Sequence, residues 1–309
     1  MKPFLFLSLA AATAFAAVDP RLLSMVMPDA QAVSGIQADA VRSSPFGQYV
    51  ISQVQLDSGL SQIMTSTGFD PRRDLHELVA AHSGAQSGLV IGRGIFQPAL
   101  ISSAAVQGGA ISTNYRGFAI LTGNGTNQTG AAAFLDSTTV LLGDVSSVKA
   151  AIDRRIAGTT FSGSLAQKAM ELSAANDIWF AAAQSPAAFF AGSEPNPAMG
   201  NLANAFQAIQ QTSGGVKFAS TGVTVGLALV ARSPQDAQSL VDVGKFFANM
   251  VQMNRDRNPG TASAATLADS ATFVANGSVA TVTLSLPEQQ LEQLVMPQHA
   301  PKGRRAAVR

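Results

Sequence analysis

Ser146 and Lys149 stand three residues apart in LLGDVSSVKAAIDRR, residues 141–155, just after an apolar run that ends in Gly143 and Asp144. Three positions on a helix turn through about 300°, so the two side chains share a face and the lysine can take a serine proton. Enzymes that use SxxK for acyl transfer complete their site with SDN and KTG elements, and neither tripeptide occurs in this chain. A structural reading accounts for more residues. Val145, Val148, Ile152 and Ile156 follow the spacing of a buried helical stripe. Asp144 is placed to cap free N–H groups, Arg154 and Arg155 lie where the helix dipole favours cations, and Gly158 ends the helix. The stretch therefore reads as a strand-to-helix joint.

Other candidates fail on physical grounds. HELVAAH, from His76 to His82, resembles the zinc motif HExxH, but its second histidine is at +6, not +4. On a helix the two rings diverge by about 120°, and on a strand they lie about 20 Å apart, so they cannot share one metal. GRGIFQ, from Gly92, lacks the third glycine of a dinucleotide fingerprint, with Asn114 where a ribose-binding acid belongs. GTNQTG, from Gly125 to Gly130, has Walker-A glycine spacing but is followed by Ala131 and Ala132 instead of lysine and a hydroxyl residue. At the strand-to-helix start of LLGDVSSVK, Asp144 is already an anion that occupies the free N–H groups and repels phosphate. No GxSxG elbow is present, and paired acids such as Asp74 and Glu77 read as surface charges. Trp179 reads as core. Tyr115 and Arg116, in NYRG at a strand start, are the one candidate binding patch, with cross-strand packing as the alternative.

The elements that must position these residues are punctuated by proline, glycine and capping residues. Residues 30–38 read as a strand. Ser44 then caps a helix with Pro45 in its first turn, Phe46, Val50 and Val54 facing a sheet and Gly68 closing the segment. A short strand near residues 77–82 pairs with SGLVIGRGIF, and a second proline-started helix runs from Pro98 to Gly108. NYRGFAILT, AAAFLD and TTVLLG supply three β segments. In the second half, DIWFAAA is a strand, and NLANAFQAIQQ is a helix with Leu202, Phe206 and Ile209 on one face. KFASTGVTVGLALVARS is a strand pair turning near Gly222, Ser233 and Pro234 start a helix, and SATFVANGSVATVTLSL is a hairpin around Asn276-Gly277. LPEQQLEQLV forms a last short helix.

GLVIGRGIFQPALISSA matches GLALVARSPQDAQSLVD in order and chemistry, as AQAVSGIQADAVRSSPF matches DIWFAAAQSPAAFF. The expectation is an α+β protein of two similar halves, residues 17–160 and 161–297. Each half is a mainly antiparallel sheet with helices on one face, and the boundary is at FSGSL.

The 309-residue chain opens with Lys2, a short apolar run and small residues, the order of a secretory signal over residues 1–16 with cleavage after Ala16. That run is too short to span a bilayer, so no transmembrane segment is expected in the mature protein, which is periplasmic or extracellular. With 0 cysteines, disulfides, thiolate metal sites and a lipid-modified N-terminal cysteine are excluded. The net charge of +1 hides an uneven distribution: Lys302, Arg304, Arg305 and Arg309 make residues 298–309 a basic, disordered tail. No basic face for nucleic acid is found. The tail offers at most weak contact with an anionic surface. Asn124, Asn127 and Asn276 satisfy the glycosylation sequon but read as turn asparagines.

GFDPRRDLHEL, NYRG at residues 114–117 and TTVLLGDVSSVKAAIDRR resemble a group of exported bacterial proteins of unknown function. The resemblance implies the duplicated α+β fold and brings no catalytic residues, metal or cofactor. The function expected is binding without turnover, of a protein, an envelope polymer or a small apolar ligand. The alternative is a hydrolase whose carboxylates or serines are dispersed along the chain.

Overall fold

The computed structural model describes residues 17–53, 58–84, 87–125, 130–183, 207–255, 259–287 and 290. Its elements begin with α1 (Pro20–Leu23), β1 (Ala32–Gln37), α2 (Ala38–Ser43), α3 (Pro45–Gln53), α4 (Ser58–Thr67) and α5 (Pro71–Asp74). They continue with β2 (Leu75–Gly84), β3 (Ser87–Gly94), α6 (Pro98–Gln107), β4 (Ile111–Tyr115), β5 (Phe118–Thr122), β6 (Gly130–Phe134) and β7 (Thr139–Asp144). Then come α7 (Val145–Ala157), α8 (Ser164–Ala175), β8 (Ile178–Ala182), β9 (Ile209–Ala219), β10 (Gly222–Ala231), α9 (Pro234–Met253), α10 (Pro259–Asp269), β11 (Ala271–Asn276) and β12 (Val279–Pro287). The fold is α+β, and among the described residues the strand pairs within each unit are antiparallel.

The chain forms two compact units that do not follow the two sequence halves. One comprises Met1–Ala40 and Phe69–Asp177, the other Val41–Gly68 and Ile178–Arg309. In the first unit the strand order is β1-β2-β3-β7-β6-β5-β4. Strand alternation turns Val79, Ile91, Leu141, Ala133 and Ile120 to the same face, and these residues form a row in register across five neighbouring strands. All five are 0% exposed, as are Val148, Ala151 and Ile152 of α7, the helix that packs against β3, β6 and β7. Fully burying such side chains contributes about 1.5–3 kcal/mol each for the larger ones, which makes this row the centre of the unit. The N-terminal segment joins the same core: Val18, Leu22, Met25 and Val26 are no more than 2% exposed. Its backbone is tied by Val18 N–H donating to Ser173 Oγ (3.2 Å) and by Arg154 Nε donating to the Met25 carbonyl (2.9 Å).

In the second unit the order is β8-β9-β10-β12-β11. Ala237, Leu240 and Val241 of α9 pack on Ile209, Leu229, Ala231 and Ala280. Val223 and Leu286 meet Phe46 of α3, Phe218 of β9 and Leu267 of α10. The capping signals hold. Ser44 Oγ accepts from Gly47 N–H at 2.9 Å and Ser233 Oγ from Asp236 N–H at 3.1 Å, with Pro45 and Pro234 opening their helices.

Several expectations are corrected. NYRGFAILT is not one β segment but a hairpin, β4 and β5, because residues 116 and 117 both take positive φ (53° and 90°) and reverse the chain. Ile209 opens β9 instead of lying on a helix face, since pairing with β8 and β10 outweighs the local helix propensity of alanine and glutamine. The turn after β11 is Gly277-Ser278, one residue beyond the expected dipeptide, with Gly277 supplying the positive φ at the first loop position. Val50 is 37% exposed and Ile156 55%, so neither completes its predicted buried stripe. Leu202, Phe206 and Val54 lie outside the described residues, as does nearly all of LPEQQLEQLV.

Candidate functional site

Ser146 and Lys149 sit on the first turns of α7, where the sequence places them, but they are committed to different partners. Ser146 Oγ donates to Asp144 Oδ1. Asp144 also accepts from the N–H and the hydroxyl of Ser147 (2.8 and 2.6 Å) and from Gly88 N–H of β3 (3.2 Å). Burial pushes the Asp144 carboxyl up, yet these donors outweigh it and hold the pKa down at about 2. The serine proton thus points to a carboxylate, and the lysine reaches elsewhere. Nζ of Lys149 lies 5.3 Å from the centroid of the Tyr115 ring.

That contact draws Tyr115 and Arg116, the predicted patch, together with two residues of α7. The β4–β5 hairpin places Tyr115 at the end of β4 and Arg116 in its two-residue turn. Tyr115 Oη donates to Asp153 Oδ2 at 2.8 Å. Arg116 lies with its guanidinium carbon 5.8 Å from the same ring, its Nε 2.6 Å from Asp153 Oδ1 and its side chain 57% exposed. The Nε–H is poorly aligned with that contact, and the guanidinium pKa is raised, first by the Tyr115 hydroxyl and then by the Asp153 charge. Arg116 is also the only non-glycine residue at positive φ among the described residues. An L-residue in this region costs about 1–2 kcal/mol. Lys149 and Asp153 were not singled out by sequence reasoning as partners of this turn. Their i, i+4 spacing on one helix face was the available signal.

A second polar cluster lies on the buried face of the same sheet. Gln37, Glu77 and Arg93 stand in register across β1, β2 and β3. Glu77 is not the surface charge expected but is 2% exposed, its burial made possible by donors from Gln37 Nε2 (2.8 Å), Arg93 Nε (3.1 Å) and Asp19 N–H (3.1 Å). A carboxylate with this many fixed donors is an anchor for the N-terminal segment. Asp74 is likewise held, by Arg73 at 2.7 and 2.8 Å and by the N–H of Asp70, and the Arg73 guanidinium beside it lowers its pKa. His76 Nδ1 lies 2.9 Å from Asp39 Oδ1, while His82 sits six positions along the same strand. No group of three or more metal-ligating side chains occurs among the described residues.

The remaining motifs fall in the framework. Gly92 is a strand residue whose Cβ position faces the Val140 side chain, and a Cβ at Gly94 would meet the Asp74 carbonyl. The two glycines of GRGIFQ are thus packed against their own sheet and leave no room for a phosphate. GTNQTG lies mostly outside the described residues. Trp179 is 1% exposed.

Sheets with helices packed on them, in antiparallel order, define the class of this protein as α+β. No protein-family model matches the chain, and no curated protein matches it. Among solved structures the fold recurs in TP0453, a Treponema protein. Crystal form I of TP0453 is 10% identical, with 91% of this chain matched to 97% of that one at a TM-score of 0.51. Form III is 10% identical, covering 90% and 98% at a TM-score of 0.54. At this identity the likeness is one of fold.

Proposed function

We propose that this is an exported protein that acts by binding rather than turnover, and that the Tyr115–Arg116 turn is its contact surface for a protein or an envelope polymer. The observation that carries the reading is the arginine at φ 53° on an exposed hairpin turn. Glycine or asparagine satisfies such a turn without strain, and a strained residue at an exposed site is a functional candidate. The charge of the patch favours a partner with anionic groups over a small apolar ligand.

Export rests on the leader-like residues 1–16, with the mature chain starting at Ala17 in the periplasm or the medium. We also infer that the two units descend from one module. In both, the third strand, β3 or β10, is followed by a helix opened by proline at position 98 or 234, and the last strand, β7 or β12, returns beside that third strand. These are the segments that match in sequence.

A photo-crosslinking amino acid placed at Thr113, next to the turn, is expected to capture an envelope component in the native host. The same group at Val274, exposed on β11, serves as control. Equal capture at both positions, or none at either, would remove the turn from the function.

A further inference from the structure

Resting on that binding reading, we propose that Lys149 and Arg116 form a two-cation site for the carboxylates of an extended acidic peptide in a partner protein, with Asp153 as its resident occupant. Three observations converge on it. First, both cations lie near one ring, at 5.3 and 5.8 Å from the Tyr115 centroid, so a single side chain gathers them before any ligand arrives. Second, most of their donors are unused. A guanidinium carries five N–H donors and an ammonium three. Among the described residues the Lys149 ammonium has no hydrogen-bond acceptor, and the Arg116 guanidinium meets only the Tyr115 hydroxyl and Asp153, the latter through a 2.6 Å contact of Nε. Only Arg116 is paired with a carboxylate, which leaves the Lys149 charge to be neutralised.

Third, the site adjoins an unpaired strand edge. Among the described residues, β4 ends the strand order of its unit and pairs with β5 alone. In a hairpin closed by Tyr115 and Phe118, the antiparallel alternation turns the N–H and C=O of Ser112 and Asn114 away from β5. Ile111, Ser112, Thr113 and Asn114 are all exposed. An extended peptide can add there as a strand, its backbone bonding to Ser112 and Asn114 while acidic side chains reach Lys149 and Arg116. A polysaccharide or a lipid surface uses the charge but not the edge, which is why a peptide is the occupant proposed.

Asp153 then acts as a built-in competitor. Its carboxylate is shared between the Tyr115 hydroxyl and the guanidinium, so an incoming carboxylate that accepts hydrogen bonds from both cations competes with it for Arg116.

The test is fluorescence anisotropy of the full-length protein with a labelled peptide of alternating glutamate and valine, with thermal melts of every variant. Lys149→Met and Arg116→Gly are each expected to weaken binding about fivefold or more, and Asp153→Asn to tighten it about threefold. Ser112→Pro, which removes an outward N–H on an edge where proline is tolerated, is expected to weaken binding with an unchanged melt. Asp153→Asn touches the Tyr115 anchor; should it not fold, Lys149→Met and Ser112→Pro still decide. The basic tail is common to all variants and cannot produce the differences between them. Binding indifferent to Lys149→Met, or weakened by Asp153→Asn, would overturn the proposal. So would Lys149-dependent binding to phosphatidylglycerol vesicles with none to the peptide, which would replace the peptide by a membrane surface. Capture at Thr113 without peptide binding would leave the turn as the contact and refute only the ligand class.

Discussion

Asp144 shows how much one side chain does at a strand-to-helix joint. It caps α7 and at the same time holds Gly88 of β3, and Gly143 before it lies so close to the Gly88 carbonyl that a Cβ has no room. Asp144→Ala is expected to cost about 1 kcal/mol, read as a lower urea midpoint with an unchanged slope. Gly143→Ala forces backbone apart in the sheet and is expected to cost more, about 2–4 kcal/mol. The pH dependence follows from the depressed carboxyl. Because the folded pKa is about 2, below the unfolded value near 3.8, the stabilisation from Asp144 is complete above that unfolded value and fades as pH falls towards 2. Acid denaturation of Asp144→Ala should therefore show a shallower loss of stability between pH 4 and about 2 than the parent. Arg116→Gly is expected to raise stability slightly, read as a higher urea midpoint, since relief of the positive-φ strain outweighs the loss of an exposed ion pair and of the contact with Tyr115. A fall in stability would show that the arginine is there for the fold.

At the scale of elements, the N-terminal segment depends on Glu77. Removing the carboxylate by Glu77→Ala leaves Arg93, Gln37 and the Asp19 N–H without their acceptor and is expected to cost about 3 kcal/mol. Amide exchange should rise first over residues 18–27, while the Val79–Ile91–Leu141 row keeps its protection; uniform loosening would argue against an anchoring role. What was legible at this scale was what local chemistry decides. Serine-proline starts at Ser44 and Ser233, the Asp144 cap and the left-handed Gly158 all operate as read, because each acts within one turn of chain. Ile209 was misread because its strand is fixed by partners tens of residues away. Tyr115 and Arg116 read as a strand start, whereas they lie at the end of β4 and in the turn after it. The feature that defines it, an arginine at positive φ, breaks the residue preference of the turn and so cannot be inferred from that preference. Lys149 was noticed for the wrong partner, since a helix spacing of three suggested Ser146 and only the tertiary fold brings the tyrosine to it.

At the scale of the whole molecule, mass spectrometry of protein purified from its native host is expected to give a chain beginning at Ala17; an intact Met1 would end the export reading. The two units share a strand order near their centres but are not drawn from contiguous sequence, because Val41–Gly68 belongs with residues after Ile178. That assignment matters during synthesis. A ribosome working from the N-terminus releases α3 and α4 long before β9, β10 and β12 exist, so Phe46 waits, with its partners Phe218, Val223 and Leu286 still untranslated, while Phe69–Asp177 can already close with the N-terminal segment. Severing the gene at FSGSL should yield two fragments that each lack part of a core, whereas a permuted gene that starts after Gly68 would let the later unit assemble from a shorter wait.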